Sequence, residues 1–96
     1  MSAINVSFDI SAGEQIIFLD RWGYPAYTVQ IISGSPTIEG TTARINQGED
    51  PTWAVINDQS GSAINSIGIH SVQDTTPLEA IRVTGTGVGR ITQTGA

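Results

Sequence analysis

Between Ile4 and Ile10 every second residue is large and apolar, with Ile4, Val6, Phe8 and Ile10 alternating with Asn5, Ser7 and Asp9. A period of two belongs to the β-strand, whose successive side chains point to opposite faces; an amphipathic helix repeats its apolar residues at three and four. The segment therefore predicts a strand with one buried face, ended by Ser11-Ala12-Gly13. Tyr27, Val29 and Ile31 repeat the pattern between Thr28 and Gln30. No stretch of the chain offers a helical spacing of comparable quality.

The remaining segments read in the same grammar. Glu14 to Asp20 carries Ile16-Ile17-Phe18-Leu19 in a row, as in a strand covered on both faces. Thr37 to Ile45 is rich in threonine and β-branched residues and predicts a strand with a bulge or bend at Gly40. Thr52 to Asn57 and Ser62 to Val72 follow, the latter with a change of face that predicts a bulge near Ser66. Leu78 to Thr84 and Val88 to Thr92 read as two strands joined across Gly85-Thr86-Gly87, a glycine-rich hairpin turn. About eight short strands with turn residues between them predict one all-β domain over residues 1–96, an antiparallel β-sandwich of jelly-roll-like or immunoglobulin-like kind.

Composition then narrows what such a domain does. Only 14% of the 96 residues are charged, against ~25% in ordinary soluble proteins. A polar surface with few charges suits faces that press against neighbours, because little charge has to be desolvated there. The net charge of −5, with four arginines and no lysine, provides no basic stripe for nucleic acid or an anionic membrane. The chain contains no cysteine, which excludes disulfides and thiolate chemistry. Met1-Ser2-Ala3-Ile4-Asn5 lacks the cationic start of a signal peptide, and no apolar run approaches the ~20 residues of a membrane-spanning helix. These features lead to an expectation of synthesis in a cytoplasm, with no nucleic-acid or membrane partner.

Candidate chemistry is sparse. His70 is the single histidine and sits among alternating apolar residues, where a strand residue of structural role is the simpler reading. Glu49, Asp50 and Asp58 flank the Trp53 segment but lack the dense Asp-x-Asx-x-Asx spacing that wraps calcium. The glycines at 85, 87 and 89 fail the nucleotide fingerprint, since Arg90 precedes more strand and no helix follows. The chain is therefore expected to be no enzyme and to hold no metal or cofactor. Trp53, opening an apolar strand, is expected as a core anchor between the sheets. Trp22, Tyr24 and Tyr27 cluster at a Gly-Pro loop, where rings can enter a subunit interface or stack on a sugar. Without lysine, Arg21, Arg44, Arg82 and Arg90 are candidates for paired carboxylate contacts across an interface.

Four segments, Tyr27-Thr28-Val29-Gln30-Ile31, Ile38-Glu39-Gly40-Thr41, Trp53-Ala54-Val55-Ile56 and Ile81-Arg82-Val83-Thr84-Gly85-Thr86-Gly87, together resemble the small β-sandwich structural proteins of tailed bacteriophages. The resemblance spans residues 26 to 92. Where that family usually carries an Asp-Gly turn before the tryptophan, this chain has the longer Gln47-Gly48-Glu49-Asp50-Pro51. The resemblance implies a non-enzymatic virion component that acts as a homo-oligomer on other virion proteins: a capsid decoration or accessory protein, or else a head-fibre, neck or tail component. The loops holding Trp22, Tyr24 and Tyr27 and holding Glu49 and Asp50 are the expected contact regions. The alternative is a carbohydrate-binding module that uses the Trp22–Tyr27 aromatic loop.

Overall fold

The computed structural model describes residues 4–19, 26–72 and 78–93. They form an all-β, antiparallel structure of six strands: β1 (Ile4–Phe18), β2 (Tyr27–Gly34), β3 (Thr37–Thr41), β4 (Ala54–Val55), β5 (Gly68–Ser71) and β6 (Ala80–Gln93). One 3-10 turn, Ile45–Gln47, closes on Gly48.

Two of these strands are unusually long, and they organise the rest. β1 and β6 pair along their whole lengths, from Ile4 opposite Gln93 to Phe18 opposite Ala80. The register slips once, between Ser11 and Gly13, so Ala12 is an extra residue in β1. One extra residue reverses which side chains face inward. Before it Ile4, Val6, Phe8 and Ile10 pack on the core; after it Ile17 and Leu19 do. The unbroken apolar run Ile16 to Leu19 is thus alternating after all, with Ile17 and Leu19 buried and Ile16 and Phe18 exposed.

The Gly85-Thr86-Gly87 hairpin expected from the sequence does not form. β6 runs straight through it, with Gly85 opposite Gly13 and Gly87 opposite Ile10. Gly85 has a φ of 92°, a conformation that costs glycine nothing and bends the strand where β1 carries its bulge. The Gln15 side chain accordingly reaches back across the bulge and donates to the Ser7 carbonyl at 3.3 Å.

The bent ribbon has one free flank on β6, shared by two strands in tandem. β2 pairs with residues 87–93 and β3 with residues 80–84. β5 extends the sheet beyond β2, and β4 extends it beyond β3. Eight pairing segments therefore exist, as the periodicity suggested, but on six continuous strands. Their inner faces enclose one core of Phe8, Ile17, Leu19, Tyr27, Val29, Ile31, Ile38, Ile64, Val72, Ile81, Val83 and Ile91.

Other local expectations shift. Gly40 is in regular register between Ile81 and Ala54; it is no bulge, and a side chain there would press on Leu78 and Ile56. The Thr52–Asn57 strand shrinks to Ala54–Val55. Ser62 to Ile67 is a loop that buries Ile64, and the expected Ser62–Val72 strand is reduced to β5 from Gly68.

Candidate interaction face

The bulge in β1 that turns Ile17 inward turns Ile16 and Phe18 outward. Direct cross-strand partners lie on one side of a sheet, so the register defines a row across four strands: Ile16, Arg82, Glu39 and Val55. Phe18 stands beside it, opposite Ala80. Three of these side chains are large, apolar and open to solvent: Ile16 at 39%, Phe18 at 53% and Val55 at 52% exposure.

The centre of the row is a closed electrostatic unit. Arg82 Nη2 donates to Glu39 Oε1 at 2.8 Å, and Arg82 Nε donates to the same oxygen at 3.2 Å. The guanidinium carbon also lies 4.9 Å from the centroid of the Trp53 ring. A planar cation can satisfy a carboxylate with its edge and an aromatic ring with its face at once. Trp53 is therefore half-buried on the outer face as the cover of Arg82 and is not the expected core anchor; the aromatic residues of the core are Phe8 and Tyr27. Arg82 is likewise committed within its own chain, contrary to the expectation that it is held for an interface. Both of its partners come from distant segments, so no local sequence signal reported them.

The sequence-predicted contact residues separate. Trp22 and Tyr24 lie outside the described residues, as does Arg21. Tyr27 belongs to the core at 3% exposure, and its hydroxyl oxygen accepts the Leu78 N–H at 2.9 Å. Its ring is not open to a sugar or a partner. Glu49 and Asp50 are exposed, but Glu49 folds back so that Oε1 accepts the Arg44 N–H at 2.8 Å. Arg90 is exposed on β6.

His70 stands on β5 facing the loop that precedes it. Its Nε2 lies 2.7 Å from the Ser66 carbonyl oxygen, which can only accept, so Nε2 carries the proton of that bond. Nδ1 is 3.9 Å from Asp58 Oδ2. Asp58 Oδ1 accepts the Ser60 hydroxyl at 2.7 Å, the Ser60 N–H at 2.9 Å and the Ser62 N–H at 3.1 Å. These bonds, led by that of the Ser60 hydroxyl, hold the Asp58 carboxyl below the ordinary carboxylate range, with a smaller contribution from His70. The Asp58 bonds close the turn, and the His70 bond to Ser66 ties β5 to the loop before it. Among the described residues no three His, Asp or Glu side chains are grouped to hold a metal ion.

A cleft of about 300 Å³ opens between β3, β4 and Leu78, lined by Gly40, Thr41, Thr42, Ala54, Ile56 and Asn57 among others, none of them ionisable. Comparison of the chain with protein-family models, characterised proteins and solved structures finds no match.

Proposed function

We propose that this chain is a non-enzymatic structural subunit of a tailed-bacteriophage particle, a capsid decoration or accessory protein, or else a head-fibre, neck or tail component, made in the host cytoplasm and acting through oligomeric protein–protein contacts. The observation that supports the reading is the outer face of β1, β6, β3 and β4. Ile16, Phe18 and Val55 stand exposed around an arginine whose charge Glu39 already neutralises. Covering such a face removes apolar surface from water without stranding a charge, which favours burial by another protein. Apolar side chains gathered on one exposed face are a feature of interaction sites.

In this reading a neighbouring subunit seats on the Phe18 face. A standard contact takes ~800 Å² from each partner, a sizeable share of the 5244 Å² that this chain exposes. Repetition on a symmetric particle adds the contacts through avidity, so each can be weak.

The test is incorporation. Quantitative mass spectrometry of particles purified from a host producing the chain is expected to find it at a fixed copy number per particle. A Phe18→Glu variant, folded by circular dichroism, is expected to be left in the soluble fraction. Particles that lack the chain, or that take up Phe18→Glu at the wild-type level, overturn the reading.

A further inference from the structure

β6 gives one flank to β2 and β3 and the other to β1, so the outer flank of β1 is an edge of the sheet. Which backbone groups β1 turns outward follows from its end, where the Leu19 N–H donates to the Glu79 carbonyl at 2.9 Å. In an antiparallel ladder such bonds recur at every second residue. Ile17, opposite Ile81, and Gln15, opposite Val83, therefore bond to β6, while Glu14, Ile16 and Phe18 turn their N–H and C=O groups away from it. The far side of the sheet has the same phase. There the Ile56 N–H donates to the Ile38 carbonyl at 3.3 Å, which leaves Glu39 and Arg82 to bond each other and Ile81 to bond β1. Among the described residues no strand or isolated bridge lies beside β1 other than β6, and none donates to or accepts from the outward groups of Glu14, Ile16 and Phe18.

Folded proteins ordinarily guard such an edge with a charge, a proline or a bulge. The N-terminal half of β1 is guarded, since Asp9 is exposed there and the Gln15 side chain occupies the Ser7 carbonyl. Past the bulge the strand runs from Glu14 to Phe18 in unbroken register, without proline, and presents exposed Ile16 and Phe18. Glu14 is the one charge of that stretch. Its position decides what the edge can take. When two copies meet antiparallel about Ile16, Glu14 of each stands opposite Phe18 of the other, and the two carboxylates are four residues, ~14 Å, apart along the strands. That exceeds the ~10 Å over which exposed charges act in 0.1 M salt.

We propose that the Glu14–Phe18 edge of β1 pairs with the same edge of a second copy, antiparallel and centred on Ile16, to join two sheets across a two-fold axis. Ile16 of each copy exchanges both backbone hydrogen bonds with its counterpart, and Glu14 does so with Phe18 of the other copy. The Ile16 and Phe18 side chains of both copies then lie on one face as a continuous apolar strip. A two-fold contact consumes both edges, so the assembly closes at two chains. The contact rests on the Phe18 face of the reading above and names a second copy as a neighbour there. It is tested on the purified chain alone, so its failure is separate from failure to enter a particle.

Light scattering over a concentration series is expected to give the mass of two chains at the upper end. Ile16→Pro and Ile16→Glu are each expected to give the single-chain mass at the same concentration. Proline removes an N–H that the monomer leaves unpaired and keeps Phe18 and Val55 in place, and glutamate sets carboxylates directly opposite each other on the axis. Both variants are expected to keep the wild-type circular dichroism spectrum at dilution. Ile16→Cys, the sole thiol in a cysteine-free chain, is expected to oxidise to a covalent dimer much faster than Val55→Cys, because Cα atoms of a facing pair stand ~5.5 Å apart. Val55 shares the exposed face but not the β1 edge, so equal cross-linking of the two cysteine variants would indicate face-to-face stacking and overturn the proposal. A single-chain wild-type mass into the millimolar range, growth beyond two chains, or dimers that survive both Ile16→Pro and Ile16→Glu overturns it as well.

Discussion

The phenyl ring of Phe8 occupies the space in which a side chain at Gly89 would stand. The two residues are opposite each other in the β1–β6 ladder, and a Cβ added at Gly89 would lie 2.6 Å from Phe8 Cζ while also striking the Gln30 carbonyl. Phe8 is buried because its partner has no side chain, and β2 can approach β6 closely for the same reason.

Gly89→Ala is therefore expected to destabilise the fold by about 1–3 kcal/mol, the usual cost of overpacking. Gly13→Ala provides the comparison, since nothing lies within 4 Å of a Cβ there, and is expected to change stability by less than ~1 kcal/mol. Urea unfolding of the two variants checks this, and equal effects would remove the packing account of the glycine.

Trp53, Arg82 and Glu39 form a chain of contacts whose worth a double-mutant cycle can measure. Trp53→Ala and Arg82→Ala, singly and together, are expected to reveal a coupling of about 0.5–1 kcal/mol, the range for a partly exposed cation over an aromatic face. Arg82→Lys is expected to behave nearly as Arg82→Ala, because an ammonium cannot span Glu39 with its edge and Trp53 with its face. Strictly additive effects of the two alanine substitutions would show that the ring and the guanidinium are neighbours without interaction.

Burial pushes the Tyr27 phenol above its ordinary value of 10.0, and the Leu78 N–H bond opposes the shift. The folded value lies above the unfolded one, so the contribution to stability is complete below pH 10 and is lost as the pH rises through the folded value. Tyr27→Phe is expected to flatten this alkaline limb. It is also expected to cost about 1–3 kcal/mol at neutral pH by leaving the Leu78 N–H unpaired. Unfolding midpoints measured across the alkaline range test both parts; an unchanged limb in the variant would assign it to another group.

For Asp58 the sign is reversed. Its folded value lies below the ordinary 3.8, so its contribution is present above that pH and is lost as the pH falls through the folded value. Asp58→Ala is expected to show a shallower acid limb and faster amide exchange at Ser60 and Ser62, whose N–H groups lose their acceptor. Hydrogen exchange at those two amides equal to the wild type would mean that the turn holds itself.

Much of the fold was legible in the alternation of Ile4, Val6, Phe8 and Ile10 and of Tyr27, Val29 and Ile31, because a side chain's face in a strand follows from its position alone. The joins were not. Ser11-Ala12-Gly13 and Gly85-Thr86-Gly87 look like strand ends, since a bulge and a turn use the same small residues. Only the pairing of one with the other makes them the two sides of a bend. The aromatic residues were legible as notable and misplaced in role: Trp53 opens an apolar run, yet it lies on Arg82, 29 positions later in the chain, and Tyr27 is core.

The sequence by itself determined the strand period, hence an all-β chain with its apolar residues divided between two faces, and it determined a surface poor in charge. The tertiary structure decided which glycines lie beneath side chains, which arginine is already paired, and that Ile16, Phe18 and Val55 share one exposed row. The physical reason is range. Periodicity acts between residues two apart, whereas register and cross-strand contact depend on segments brought together from far along the chain, and no local pattern carries that information.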